Sequence, residues 1–293
     1  MNDSMLELGI LLAIACALTA NLGLLCKHRG ACAAPDVRIS QPVRSAVALF
    51  RSRWWAIGFG VAFVAWVIHV AALALAPLSL VETVISGGIV LLAWLAERWF
   101  GLQVSAREWI GLALIAAGLA FLGVTVPEAP GTDTAAYSTS AMIAFESGAV
   151  ALGALLLLSG TSGTGGASRG VVLGLAAGLL LGVANVAVKA LTGIVGDGVL
   201  AILSPWTAVL IVAGIGAFFA LARGMQISGA ISVIAVSSVA ANCASIAGGV
   251  LVFGDSLGAD PVAIVARSLA FVVVIAATAL MPAPVGATAT ARS

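Results

Sequence analysis

The chain has 293 residues, of which 62% are hydrophobic and only 9% charged, and its mean hydropathy is +1.19. Soluble domains are about 25% charged, so this chain cannot cover a water-facing surface and must use lipid as solvent for most of its exterior. Thirteen Lys and Arg against twelve Asp and Glu leave a net charge of +1, with no basic surplus to suggest nucleic acid. At roughly 20 residues per span, the apolar residues suffice for about nine transmembrane helices and leave no room for a soluble domain.

In chain order, Met1 to Glu7 carries Asp3 and Glu7 with no basic stretch ahead of the apolar run, which is unlike a cleavable signal. Apolar runs bounded by Gly, Pro or charge then predict spans over Leu6–Cys26, Trp54–Ala76, Leu78–Ala96, Trp109–Val126 and Ser140–Leu158. The remaining four are Gly170–Leu191, Val199–Leu221, Ser228–Val252 and Pro261–Met281. Barrel strands would be about ten residues long and alternating, so each run reads as a helix. Cys26, His28 and Cys32 lie close together, which makes a soft-metal site conceivable; with no CxxC pair among the cysteines, the preferred reading is small thiols near an interface, with no metal or cofactor expected.

Loop charge sets the orientation. Lys27, Arg29, Arg38, Arg44, Arg51 and Arg53 fall between spans one and two. Arg98 and Arg107, then Arg169, Arg223 and Arg292, fall in every second loop after that, while Glu128, Asp133, Asp197, Asp255 and Asp260 occupy the others. By the positive-inside rule the N-terminus is outside and the C-terminus cytoplasmic, the split that nine spans require. Within the basic loop 27–53, the stretch from Arg44 to Trp55 has two readings: an interfacial helix on anionic lipid, or a topogenic charge cluster with Trp54 and Trp55 as an aromatic belt. Pro127–Thr139 and Ser159–Ser168 read as flexible linkers that set span five apart.

Weak echoes link the two halves. Trp99-Phe100-Gly101 ends span three as Val252-Phe253-Gly254 ends span eight, and Gly118-Leu119-Ala120-Phe121 in span four faces Ser268-Leu269-Ala270-Phe271 in span nine. Asn21 with Lys27 resembles Asn185 with Lys189. The expected fold is an all-α polytopic membrane protein with an inverted 4+1+4 repeat: residues 1–126, a linker with span five over 127–168, and residues 169–293. Such repeats are common in secondary transporters, with the substrate between the halves near the midplane.

A first helix ending in Lys27, a basic loop and a Trp-rich helix are followed by Ala-Pro-Leu-Ser-Leu-Val at 76–81 and Arg-Glu-Trp-Ile-Gly-Leu-Ala-Leu-Ile-Ala-Ala-Gly at 107–118. This order resembles the drug/metabolite transporter superfamily (EamA-like), and most of all its shorter NIPA-like branch, over essentially the whole chain. Where that family has a Gly-Glu-Arg turn, this sequence has Gly101-Leu102-Gln103 and Gly254-Asp255-Ser256.

Ionisable groups inside a span cost on the order of 3 kcal/mol each, and there are few: His69, Glu82, Glu146, Lys189 and Arg267. The resemblance implies that the first three helices of each half surround the cavity. That makes His69, Glu82, Asn21, Asn185, Lys189 and Asn242 the cavity candidates, and leaves Glu146 and Arg267 peripheral as a structural pair. Lys189, Glu82 and His69 form the leading constellation for a polar organic solute, with Glu82 or His69 able to carry a coupling proton. Competing readings stand beside each: snorkelling for Lys189, a wet helix end for Glu82, a helix carbonyl partner for His69, and interhelical hydrogen bonding for the three Asn. Gly170, Gly174, Gly178 and Gly182 recur every fourth residue, a small-residue stripe for close helix packing.

The expected function is secondary transport of a small polar organic solute or metabolite. Transport of Mg²⁺ or another divalent cation, which the NIPA-like resemblance implies, comes second, because hard cations want several oxygen ligands and Lys189 and Arg267 oppose the two carboxylates. A non-transporting accessory subunit is the third reading. No HExxH, GxSxG or phosphate loop is present, so no enzyme is expected. The expected partners are the substrate, the lipid bilayer and a second copy of the chain, in the plasma membrane of a bacterium, as the Ala- and Gly-rich composition hints.

Overall fold

In a computed structural model, which describes residues 3–38, 41–75, 84–85, 87–125, 137–162, 166–194, 203–254 and 260–278, the chain is helical, with no strand among the described residues. The helices are α1 (Asp3–Ala33), α2 (Pro42–Arg51), α3 (Arg53–Leu75), α4 (Ile89–Phe100) and α5 (Ala106–Thr125), then α6 (Thr139–Ser162), α7 (Gly166–Ile194), α8 (Pro205–Ile227), α9 (Ala230–Val252) and α10 (Pro261–Thr278). Helix is what lipid demands, since every backbone N–H and C=O must find its partner within the segment. By length and composition α1, α6, α7, α8 and α9 can each cross a membrane, and the bent pair α2 and α3 makes a sixth.

Local signals explain the helix ends. Ser105 accepts from the Glu108 N–H at 3.3 Å while the Glu108 carboxylate takes the Ser105 N–H at 2.8 Å, a reciprocal cap that starts α5. Pro42, Pro205 and Pro261 each stand at the start of a helix, where their missing N–H costs nothing. Gly101 and Gly254, the two glycines that the sequence echo pairs, have φ of 64° and 68° and are the residues with positive φ among those described. Gly101 directly follows α4, and Gly254 comes one residue after the Phe253 cap of α9. Only glycine turns there without strain.

Several boundaries depart from expectation. The ends of the Ser159–Ser168 stretch are helix rather than linker: α6 continues to Ser162 and α7 begins at Gly166, while residues 163–165 lie outside the described residues. Arg169 supplies a reason, donating from Nε to the Gly160 carbonyl at 2.9 Å and so satisfying the open end of α6. α1 runs seven residues beyond Cys26, which carries Lys27 and Arg29 on a helix rather than in a loop. α4 begins only at Ile89, and the start of the predicted third span, from Leu78, lies outside the described residues. Trp55 belongs to no aromatic belt. It is buried against Gly30 and edge-on to Phe218 at 5.5 Å, because Gly30 lets α3 approach α1 at that level.

α1 and α3 run antiparallel: Cys16 meets the Ala65 carbonyl at 3.3 Å and Gly30 meets Trp55. α7 is packed by α6, α8 and α9, and α5 lies along α10. The largest hydrophobic core joins α1, α4, α5, α8 and α9 through Leu25, Leu92, Ala96, Ile115, Met225 and Ile234, at the end of the bundle that carries the basic residues. At the other end the apolar contacts break into smaller clusters, such as Ala13 with Ala72 and Met142 with Val186.

The glycine stripe of α7 sits directly on its neighbours. A side-chain carbon at Gly174 would stand 2.9 Å from the Val233 carbonyl, and one at Gly170 would stand 2.9 Å from the Gly224 carbonyl. Gly178 and Gly182 abut Ser237 and Ala244 of α9. Gly214 on α8, by contrast, faces open space. Gly178→Ala should therefore lower the thermal midpoint of the detergent-purified protein, by about 1–3 kcal/mol of over-packing. Gly214→Ala should leave it unchanged or raise it by up to about 1 kcal/mol, and equal behaviour of the two would refute this packing.

Candidate functional site

Helical phase puts Asn185 and Lys189 on the face of α7 that carries Gly174 and Gly178. That face is closed against α9 as far as Gly182. Along one flank of it Leu181, Asn185 and Val188 are exposed and Lys189 is half-buried, and past Gly182 the helices stay in contact where Val186 fills the space beside Gly248. Asn185 Nδ2 donates to Ser245 Oγ of α9 at 3.2 Å. Asn242 lies three residues before Ser245 on α9 and is exposed, with Nδ2 on its own helix at the Ser238 carbonyl, 2.8 Å away. These spacings place Ser238, Asn242 and Ser245 side by side. The seam thus presents amide and hydroxyl groups, both donors and acceptors, with no fixed charge until Lys189.

Asn21 is buried on α1 and spends its amide on structure. Its Nδ2 donates to the Gly88 carbonyl at 2.6 Å, at the point where α4 begins. That carbonyl also accepts from Leu91 and Leu92, so Asn21 fastens α1 to the first turn of α4. Lys189 Nζ lies 4.3 Å from the centre of the Phe253 ring. Phe253 packs on Tyr137, whose hydroxyl accepts from Trp206 Nε1 at 2.7 Å. The ammonium is therefore part of an aromatic rim where α6, α8 and α9 meet. His69 stands half-buried on α3. Glu82 lies outside the described residues, so the expected Lys189–Glu82–His69 constellation is described at two of its three corners.

The peripheral pair separates. Arg267 on α10 is buried and donates from Nη2 to the Thr125 carbonyl at the end of α5. Glu146 is buried on α6, and neither of its carboxylate oxygens has a hydrogen-bond partner among the described residues. It shares its face with Met142, Ala149 and Val150, which pack into the apolar clusters formed with α7 and α8. A carboxyl group held this way is the costliest side chain of the seam. Its position within a span was visible in the sequence; the lack of a partner was not.

Sequence reasoning also missed Gln226, at the end of α8. Its Nε2 donates to the Ala31 carbonyl at 2.9 Å and the Pro35 carbonyl at 3.1 Å, and its Oε1 accepts from the Val37 N–H at 3.0 Å. One turn earlier, Arg223 pairs with Asp36 at 2.8 Å. Together they tie α8 to the end of α1 on the basic side. The available signal was the i, i+3 spacing of two long polar residues at the end of a span.

No family model, curated protein or solved structure matches the chain.

Asn242→Ala removes a bond that Asn242 makes only within its own helix, so stability should change by less than about 0.5 kcal/mol. Asn185→Ala and Ser245→Ala should couple in a double-mutant cycle by about 0.6 kcal/mol, the usual size of an interhelical bond in a membrane. Thermal unfolding of the four proteins measures this; additive effects would mean that the bond does not form.

Proposed function

We propose that the chain is a secondary transporter of a small polar organic solute, working by alternating access between two inverted four-helix repeats. In this reading nine spans cross the membrane, with the N-terminus outside and the C-terminus in the cytoplasm. The observation that carries the reading is the polar group that α7 and α9 hold together, the exposed amides of Asn185 and Asn242 with the Ser245 hydroxyl, next to the glycine contact at the basic end. Polar side chains gathered between closely packed helices are what a substrate site of such a transporter requires.

The pattern of helix contacts supports the repeat. α1 packs on α3 and α4 as α7 packs on α8 and α9, and the third helix of each half ends in the same left-handed glycine turn. Gln226 and the Arg223–Asp36 pair hold the basic end shut, and these contacts must break for that end to open. Glu146 takes up the coupling proton in this reading, because its burial with no hydrogen-bond partner among the described residues makes a change of charge there energetically decisive.

Proteoliposomes are the direct test, loaded with a panel of polar metabolites and, separately, with Mg²⁺. Accumulation of an organic solute driven by a proton gradient, at least tenfold weaker in Asn242→Ala, is the expected result; on the transition-state scale a factor of ten is about 1.4 kcal/mol. Glu146→Gln should still exchange solute across the membrane but fail to accumulate it. Uptake of Mg²⁺ alone, or no uptake of anything by a folded protein, would overturn the proposal.

A further inference from the structure

The basic segment between α1 and α3, whose Pro35–Val37 stretch is tied to α8, also builds a site of its own. α2 meets α3 at 88°, so when α3 crosses the bilayer α2 lies in its plane. The roll of α2 is set by aromatic contacts. The Phe50 ring lies 5.2 Å from Phe59 on α3 and stacks at 6.4 Å on Phe218 of α8, so the Phe50 side of α2 turns toward the bilayer interior. Val43 and Val47 share that side and are 76% and 48% exposed. Ser45 and Leu49, on the opposite flank, are buried in protein.

Arg44 then emerges at headgroup level. With Arg38, Gln41 and Ser45 it lines a cleft of about 250 Å³ that Pro35, Asp36 and Ala48 complete. Clefts for drug-sized ligands begin at roughly 300 Å³, so this one suits a headgroup. The Asp36 carboxylate is occupied by Arg223 at 2.8 Å, and Arg44 makes only a long contact, 3.4 Å, to Gln41 Oε1. The cleft is therefore cationic. It is also built in advance: Ser45 Oγ accepts the Arg38 N–H at 3.0 Å and donates to the Arg38 carbonyl at 3.1 Å, which fixes Arg38 against α2.

We infer that this cleft binds the phosphate of an anionic phospholipid, with Arg38 and Arg44 on the phosphate oxygens and the acyl chains along Val43, Val47 and Phe50. Guanidinium groups bind phosphate through paired N–H donors, and the adjoining apolar face selects a lipid over a free anion. A bound lipid of this kind braces the segment that Gln226 and Arg223 tie to α8.

The full chain, purified in detergent, tests this by thermal unfolding and native mass spectrometry against added phosphatidylglycerol, phosphatidylcholine or inorganic phosphate. Phosphatidylglycerol should raise the midpoint and remain bound in the mass spectrum, and the other two should do neither. Each interfacial Arg contributes about a factor of five to anionic lipid affinity, so R38Q with R44Q should raise the half-saturating phosphatidylglycerol concentration by roughly 30-fold. R98Q with R107Q, at the same end of the bundle, should leave it unchanged. An equal response to phosphatidylcholine or to inorganic phosphate would overturn the assignment, as would a double variant that still responds like the wild type. The comparison of the three additives on the wild-type protein stands alone if the double variant does not fold.

Discussion

Backbone contact between α7 and its neighbours is the constraint on which the rest of this structure depends. In lipid there is no water to expel between apolar helices, so association must come from close packing and from a few polar bonds. Gly170, Gly174, Gly178 and Gly182 provide the packing by letting α7 touch the end of α8 and α9 as far as Ala244. Past that stripe the contact with α9 continues through side chains, with Val186 against Gly248 and Asn185 bonded to Ser245. The change from glycine to larger residues along α7 thus replaces backbone contact by side-chain contact.

The polar groups divide along the same line. At the basic end they are consumed by structure: Gln226 satisfies carbonyls at the end of α1, Arg169 closes α6, and Arg223 holds Asp36. Toward the other end they remain accessible, as Asn185 and Asn242 do, or lie buried with no hydrogen-bond partner among the described residues, as Glu146 does. Exposed ion pairs such as Arg223–Asp36 are worth little by themselves. Their effect here is to position a segment whose backbone is already hydrogen-bonded to Gln226.

Much of the architecture was legible in the sequence because lipid imposes a strong rule: a long apolar run becomes a helix. The starts of α3, α6, α9 and α10 lie within two residues of their expected positions. The misreadings share one cause. Ser159–Ser168 looked like a linker by composition, but Arg169 returns to the Gly160 carbonyl and α6 runs on to Ser162. Trp55 looked like a belt residue by its neighbours, but Gly30 opens room for it in the core. In both places a partner distant in space decided the local structure. The site was legible only in part: Asn21, Asn185 and Asn242 were evident as polar groups in apolar spans, but their bonds were not. Asn21 is committed to Gly88, Asn185 reaches Ser245, and Asn242 stays on its own helix.

The sequence by itself determined that the chain is helical, that it belongs in a membrane, and that polar and charged groups in its spans are few and costly, because these follow from composition and from the energetics of single residues in lipid. Only the tertiary structure decided which of those groups stay exposed and which are spent on neighbouring helices. It separated Arg267, held by Thr125, from Glu146, which has no hydrogen-bond partner among the described residues, and it laid α2 across the end of α3 so that Arg38 and Arg44 share a cleft. Those outcomes depend on the rotation and separation of helices far apart in the chain, and hydropathy along a single strand of sequence carries no record of either.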